Sequence, residues 1–160
     1  MVRNIPDTEF RERVDKIQKL MREKHLDVLL AFSTESEPAY VRYLCDYWPS
    51  FETAAVLIPS SGDPVLLIGP ESLTYARARS KIEKIMQLRD FRESSQPAYP
   101  GSKLMGWKAL FDGLEFKTFG IAGWFMFPQA IYSEMVAERP DASWVNADEI
   151  LREVMIQTSQ

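Results

Sequence analysis

The stretch from Leu26 to Pro70 reads LDVLLAFSTESEPAYVRYLCDYWPSFETAAVLIPSSGDPVLLIGP. Val28 to Phe32 carries no polar residue, the pattern of a strand covered on both faces, as in a parallel sheet. A polar loop, a Tyr43-Leu44 corner and an aromatic loop follow. Ala54 to Ile58 and Val65 to Ile68 are two more apolar runs, joined by Pro-Ser-Ser-Gly-Asp. That connection has the length and residue types of a hairpin loop, so these two strands are antiparallel and the sheet is mixed.

Working outward, Phe10, Val14, Ile17, Leu20 and Met21 fall on one helical stripe, with Glu12, Lys16, Lys19, Arg22 and Glu23 opposite. Pro6, Asp7 and Glu9 suit its first turn. Pro70 and Glu71 open a helix carrying Leu73 and Ala76, and Lys84 to Leu88 reads as a further strand. Arg92 to Gly101 is a Ser- and Pro-rich loop. Leu104, Trp107, Phe111 and Leu114 then make an amphipathic helix, and Thr118 to Ala122 a strand. Pro128 starts a helix with Ile131, Met135 and Val136 inward, ending by Pro140. Ser143 to Val145 is a short strand, and Asn146 with Glu149 resembles a capping box for a last helix holding Ile150, Leu151 and Val154. Alternation of strands and helices argues an α/β three-layer sandwich.

The chain has 160 residues, 46% apolar and 26% charged, which is the size and composition of one globular domain. No apolar run approaches the ~20 residues needed to span a bilayer, and the first residues lack the pattern of a signal peptide. The net charge is −4 with acids and bases interleaved, so nucleic acid is not an expected partner. A single cysteine makes no internal disulfide, and the economical reading is a reducing, cytoplasmic compartment.

Candidate chemistry is sparse. The one histidine, His25, ends the first helix, where a cation is favourable in its own right. It is a poor general base without a nucleophile beside it. Cys45 has no cationic neighbours in sequence to activate it. The acid pairs Glu35/Glu37 and Asp148/Glu149 read as solvated or capping groups. Gly120-Ile-Ala-Gly123 lacks the spacing of a dinucleotide loop. The aromatic loop Tyr47-Trp48-Pro49-Ser50-Phe51 is different, because large rings beside a strand end are costly to leave in water. Either they cap the domain's own core or they meet a partner. Trp124, Phe125 and Phe127 form a second such set.

Arg13-Val14-Asp15-Lys16-Ile17 through Met21, then His25-Leu26-Asp27 and Val28-Leu29-Leu30, is similar to a pattern of helix, Gly-Leu-Asp and apolar strand. Tyr40-Val41-Arg42-Tyr43-Leu44-Cys45-Asp46-Tyr47 is similar to Asn-Ile-x-Tyr-Leu-Thr-Gly-aromatic, with Tyr40, Cys45 and Asp46 departing from it. Both patterns belong to the amino-terminal domain of the creatinase, prolidase and aminopeptidase P family, which the chain resembles over nearly its whole length. The hairpin followed by Pro70-Glu71, the Phe119-Gly120-Ile121 strand and the helix at Ile150 to Val154 keep the same order.

The resemblance implies a mixed sheet of about six strands and one domain over residues 1–160, with no catalytic residue, metal ligand or cofactor of its own. It implies that the pita-bread catalytic domain lies outside this chain, and that a divalent metal (Mn, Co or Zn) belongs there in the peptidases. It also implies a homodimer, with the loop from Asp46 to Thr53 reaching a partner's active site. Asp46, Tyr47, Trp48 and Phe51 are the expected contact residues. The expected function is therefore a non-catalytic domain of a creatinase-like or Xaa-Pro-directed hydrolase. The alternatives are a free-standing binding or assembly module and a nucleotide-binding α/β protein.

Overall fold

The computed structural model describes residues 5–92 and 104–158. Helices and strands follow in the order α1 (Asp7–Glu23), β1 (Val28–Ser33), α2 (Ala39–Cys45), β2 (Ala54–Pro59), β3 (Val65–Ile68), α3 (Leu73–Arg79) and β4 (Ile85–Gln87). Then come α4 (Trp107–Asp112), β5 (Thr118–Ala122), α5 (Gln129–Glu138), β6 (Ser143–Asn146) and α6 (Asp148–Thr158). They form a six-stranded sheet in the order β4-β3-β2-β1-β5-β6. β1 pairs antiparallel with β2 and parallel with β5, and β2 pairs antiparallel with β3, so the sheet is mixed, as the hairpin required.

Alternation along β1 divides the core into two layers. Leu29 and Ala31 join α1, α2 and α6 through Val14, Ile17, Leu44, Ile150 and Leu151. Val28, Leu30 and Phe32 face the other way, towards Phe91, Trp107, Phe111 and Met135. Every residue of β1 is buried, which is why no polar alternation is written into it. Phe32 is fully buried and meets Phe127 edge-on at 5.0 Å and Phe91 at 5.8 Å. Truncating such a ring costs about 3–5 kcal/mol.

Several sequence expectations are corrected. The Tyr43-Leu44 corner is a seven-residue helix, α2, with Val41, Leu44 and Cys45 buried. β-Branched and aromatic residues have low helix propensity, and packing against the sheet overrides it. The helix expected from Leu104 to Leu114 is only Trp107–Asp112, because Met105 bridges to Leu88 and Gly113 ends it. The helix expected at Pro70 starts at Leu73. The Ser/Pro-rich loop lies outside the described residues except for Arg92. Asn146 does cap the last helix as expected: its Oδ1 accepts the Asp148 N–H at 2.9 Å.

α1 also carries two polar side chains inward. Gln18 donates to the Pro59 and Gly62 carbonyls, tying α1 to the hairpin turn. Arg13 is buried, donates to the Tyr43 carbonyl at 2.6 Å, pairs with Glu9 and lies over the Phe10 and Tyr43 rings. The helix ends in a Schellman turn: His25 N–H donates to Arg22 O and Leu26 N–H to Met21 O. His25 takes the left-handed position of that turn, with φ of 56°.

Candidate functional site

All the parallel strands end at one edge of the sheet, and that edge gathers the distinctive side chains. The loop after β1, the aromatic loop entering β2, the β3–α3 turn, the turn after β5 and the start of α6 meet there.

The aromatic loop is fixed at both ends. Asp46 closes α2 in the left-handed region, with φ of 57° and its N–H on Arg42 O. Asp tolerates that region better than most residues, so the position needs no glycine. At the other end Glu52 is buried, and its carboxylate accepts the Ser72 hydroxyl at 2.8 Å and the Glu71 N–H at 3.1 Å. Gly69 makes room for it, since a Cβ there would lie 2.4 Å from the carboxyl carbon. Burial holds the Glu52 carboxyl above its usual range, against those hydrogen bonds.

The four expected contact residues separate. Tyr47 is buried, and its ring packs on Tyr75 at 5.4 Å, so it belongs to this domain's core. Asp46 is half-buried near Arg79. Trp48 is 43% exposed, its indole N–H on Glu35 O and the Arg42 guanidinium over its ring. Phe51 is 79% exposed.

The second aromatic set stands on the turn after β5. Phe127 is tied into the core by Phe32, and Trp124 packs on Tyr132. Phe125 between them is 89% exposed. The turn depends on Gly123, whose φ is 88° and where a Cβ would come within 2.8 Å of Phe32 O. Asp148 fixes it from below. Its Oδ1 accepts the Tyr40 hydroxyl at 2.8 Å and the Gly123 N–H at 2.7 Å, and its Oδ2 the Trp124 N–H at 3.3 Å.

Asp148 is therefore a buried joint between α2, β5 and α6, not the solvated or capping acid expected from sequence. Burial, and then the bond to Asp148, pushes the Tyr40 hydroxyl up to about 12. In the sequence Asp148 was only half of an acid pair and Tyr40 only a departure from the family pattern, so nothing joined them. The available signal was an acid directly after a strand end, where it faces the neighbouring strand's turn.

The other candidates are quiet. Cys45 is buried, its Sγ on Val41 O, and desolvation pushes the thiol up to about 12. His25 is exposed at the end of α1. Glu35 and Glu37 are exposed, as expected. Among the described residues no three His, Cys, Asp or Glu side chains come together to hold a metal ion. No described helix is long and apolar enough to cross a membrane.

Comparison with known proteins places this architecture. The family model for the creatinase/prolidase N-terminal domain matches residues 13–154, and the chain belongs to that family. Among solved structures, a proline dipeptidase from Streptococcus pneumoniae superposes with a TM-score of 0.66 at 12% identity, covering 89% of this chain and 96% of that one. The N-terminal domain of the cytoplasmic peptidase PepQ from Mycobacterium tuberculosis gives 0.64 at 16%, covering 89% and 98%. The prolidase from Pyrococcus horikoshii gives 0.64 at 17%, covering 89% of this chain but only 34% of its own. The chain thus spans about a third of that prolidase. At these identities the likeness establishes the fold. No curated protein matches the chain.

Proposed function

We propose that this chain is a non-catalytic N-terminal domain of a creatinase-like or Xaa-Pro-directed hydrolase, building a homodimer and the rim of a substrate site. The observation that carries the reading is the pair of exposed rings Trp48 and Phe51 on a loop clamped at both ends, on the same sheet edge as Phe125. Rigid exposed aromatics are the residues that dominate protein contacts, because little freedom is lost when they are covered.

The reaction and any Mn, Co or Zn ion belong to a catalytic domain other than this one. A cytoplasmic location fits the description of the PepQ relative as a cytoplasmic peptidase.

Sedimentation velocity tests the dimer. The wild-type chain is expected to self-associate and the Trp48→Ala/Phe51→Ala variant to sediment as a folded monomer with little loss of stability. Identical sedimentation of the two would remove the loop from the interface.

A further inference from the structure

Outside the aromatic loop the same edge holds a cavity of about 300 Å³. It lies where β1 and β5, adjacent and parallel, send their chains in opposite directions. β1 leads through α2 to β2 on one side, and β5 leads through α5 to β6 on the other. In open α/β sheets such a divergence leaves a crevice beyond the strand ends, and ligands bind there. The volume is at the small end of the roughly 300–1,000 Å³ of ligand sites.

The cavity is built in advance. Asp148, 5% exposed, holds the Tyr40 hydroxyl and the Gly123 and Trp124 amides together from beneath. With three donors on it, this carboxylate has little capacity left for a ligand. Recognition therefore falls to the groups around the mouth. One wall is apolar, made by Trp124, Phe125 and Met126. The polar lining carries three charged groups: the Asp148 carboxylate, already taken up by its donors, and two at the mouth, Glu37 from the loop after β1 and Arg152 from α6. Arg152 lies against the Tyr40 hydroxyl. Among the described residues neither Glu37 nor Arg152 forms an ion pair, with each other or with any third group.

We propose that this cavity binds a small free amino acid with an apolar side chain. The ligand's carboxylate meets Arg152, its ammonium meets Glu37, and its side chain lies on Phe125 and Met126. A planar guanidinium suits a carboxylate because it offers two parallel donors. With Asp148 buried and its charge met by three donors, a simple anion would face Glu37 and a simple cation would face Arg152, so the two charges at the mouth select a zwitterion over either. The site is read on this chain alone and needs neither a catalytic domain nor a dimer. Its failure would therefore leave the proposal about the aromatic rim standing.

The test is an NMR titration of the full chain with L-phenylalanine, 3-phenylpropionate and 2-phenylethylamine, following the Gly123 and Trp124 amides. L-Phenylalanine is expected to shift both amides and to bind about tenfold or more tightly than either analogue, the worth of one charge-assisted contact. Arg152→Gln should lower its affinity to that of 2-phenylethylamine, and Glu37→Gln to that of 3-phenylpropionate. Both side chains are exposed, so neither variant endangers the fold. Absence of shifts at Gly123 and Trp124 would overturn the proposal. So would equal binding of L-phenylalanine and 3-phenylpropionate, or unchanged L-phenylalanine affinity in both variants.

Discussion

Replacing Asp148 by alanine is the sharpest probe of how the rim is held. A solvated acid in a helix's first turn contributes only about 0.3–1 kcal/mol through the helix dipole. The structure demands more. The Gly123 N–H is buried and bonded to the carboxylate at 2.7 Å, and in the variant it is left without an acceptor. An orphaned buried donor costs about 1–3 kcal/mol. The Tyr40 hydroxyl, half-buried, recovers water in part, so its bond adds about 1 kcal/mol rather than the full charge-assisted value. Asp148→Ala should therefore lower the unfolding free energy by about 2–4 kcal/mol in urea titration at constant m. Asp148→Asn keeps one carbonyl oxygen for the Gly123 amide and should lose about half as much. A loss under about 0.5 kcal/mol for the alanine variant, the level of an ordinary surface change, would refute the buried-joint account.

Two further predictions concern strain and protonation. His25 sits at φ of 56° with no side-chain contact needed by the turn, so His25→Gly should raise stability by about 0.5–1 kcal/mol; a lower urea midpoint would show the side chain contributes something else. Glu52 is held above its ordinary value of 4.5, so the folded state binds that proton more tightly than the unfolded chain. The stability this contributes is full below 4.5 and is lost as pH rises through the raised value. Unfolding free energy should then fall over that window in the wild type and fall less in Glu52→Gln; parallel curves for the two proteins would contradict the assignment.

Much of the fold was legible because its cues are local. The unbroken apolar run of β1 announces burial on both faces, and the five-residue hairpin turn forces the antiparallel pair beside it. The stripe on α1 names its inward face, apart from Arg13 and Gln18. Those two are buried because carbonyls of Tyr43, Pro59 and Gly62 wait for them across the fold. α2 was hidden because Tyr40, Val41 and Tyr43 have weak helix propensity, although Val41, Leu44 and Cys45 have helical spacing. At the rim, Trp48 and Phe51 were readable as large rings in a loop, but nothing local distinguishes them from the buried Tyr47. Asp148 was misread for the same reason. Its partners lie 24, 25 and 108 residues away, and only the completed sheet brings them to it.

The central proposal is that this domain shapes a site whose reactive groups belong elsewhere. The direct measurement is hydrolysis of Xaa-Pro dipeptides by the purified chain with Mn²⁺ or Co²⁺ added. The account predicts no turnover above the metal-only blank, at any pH where the chain stays folded. Metal-dependent turnover that follows the protein through purification would contradict it.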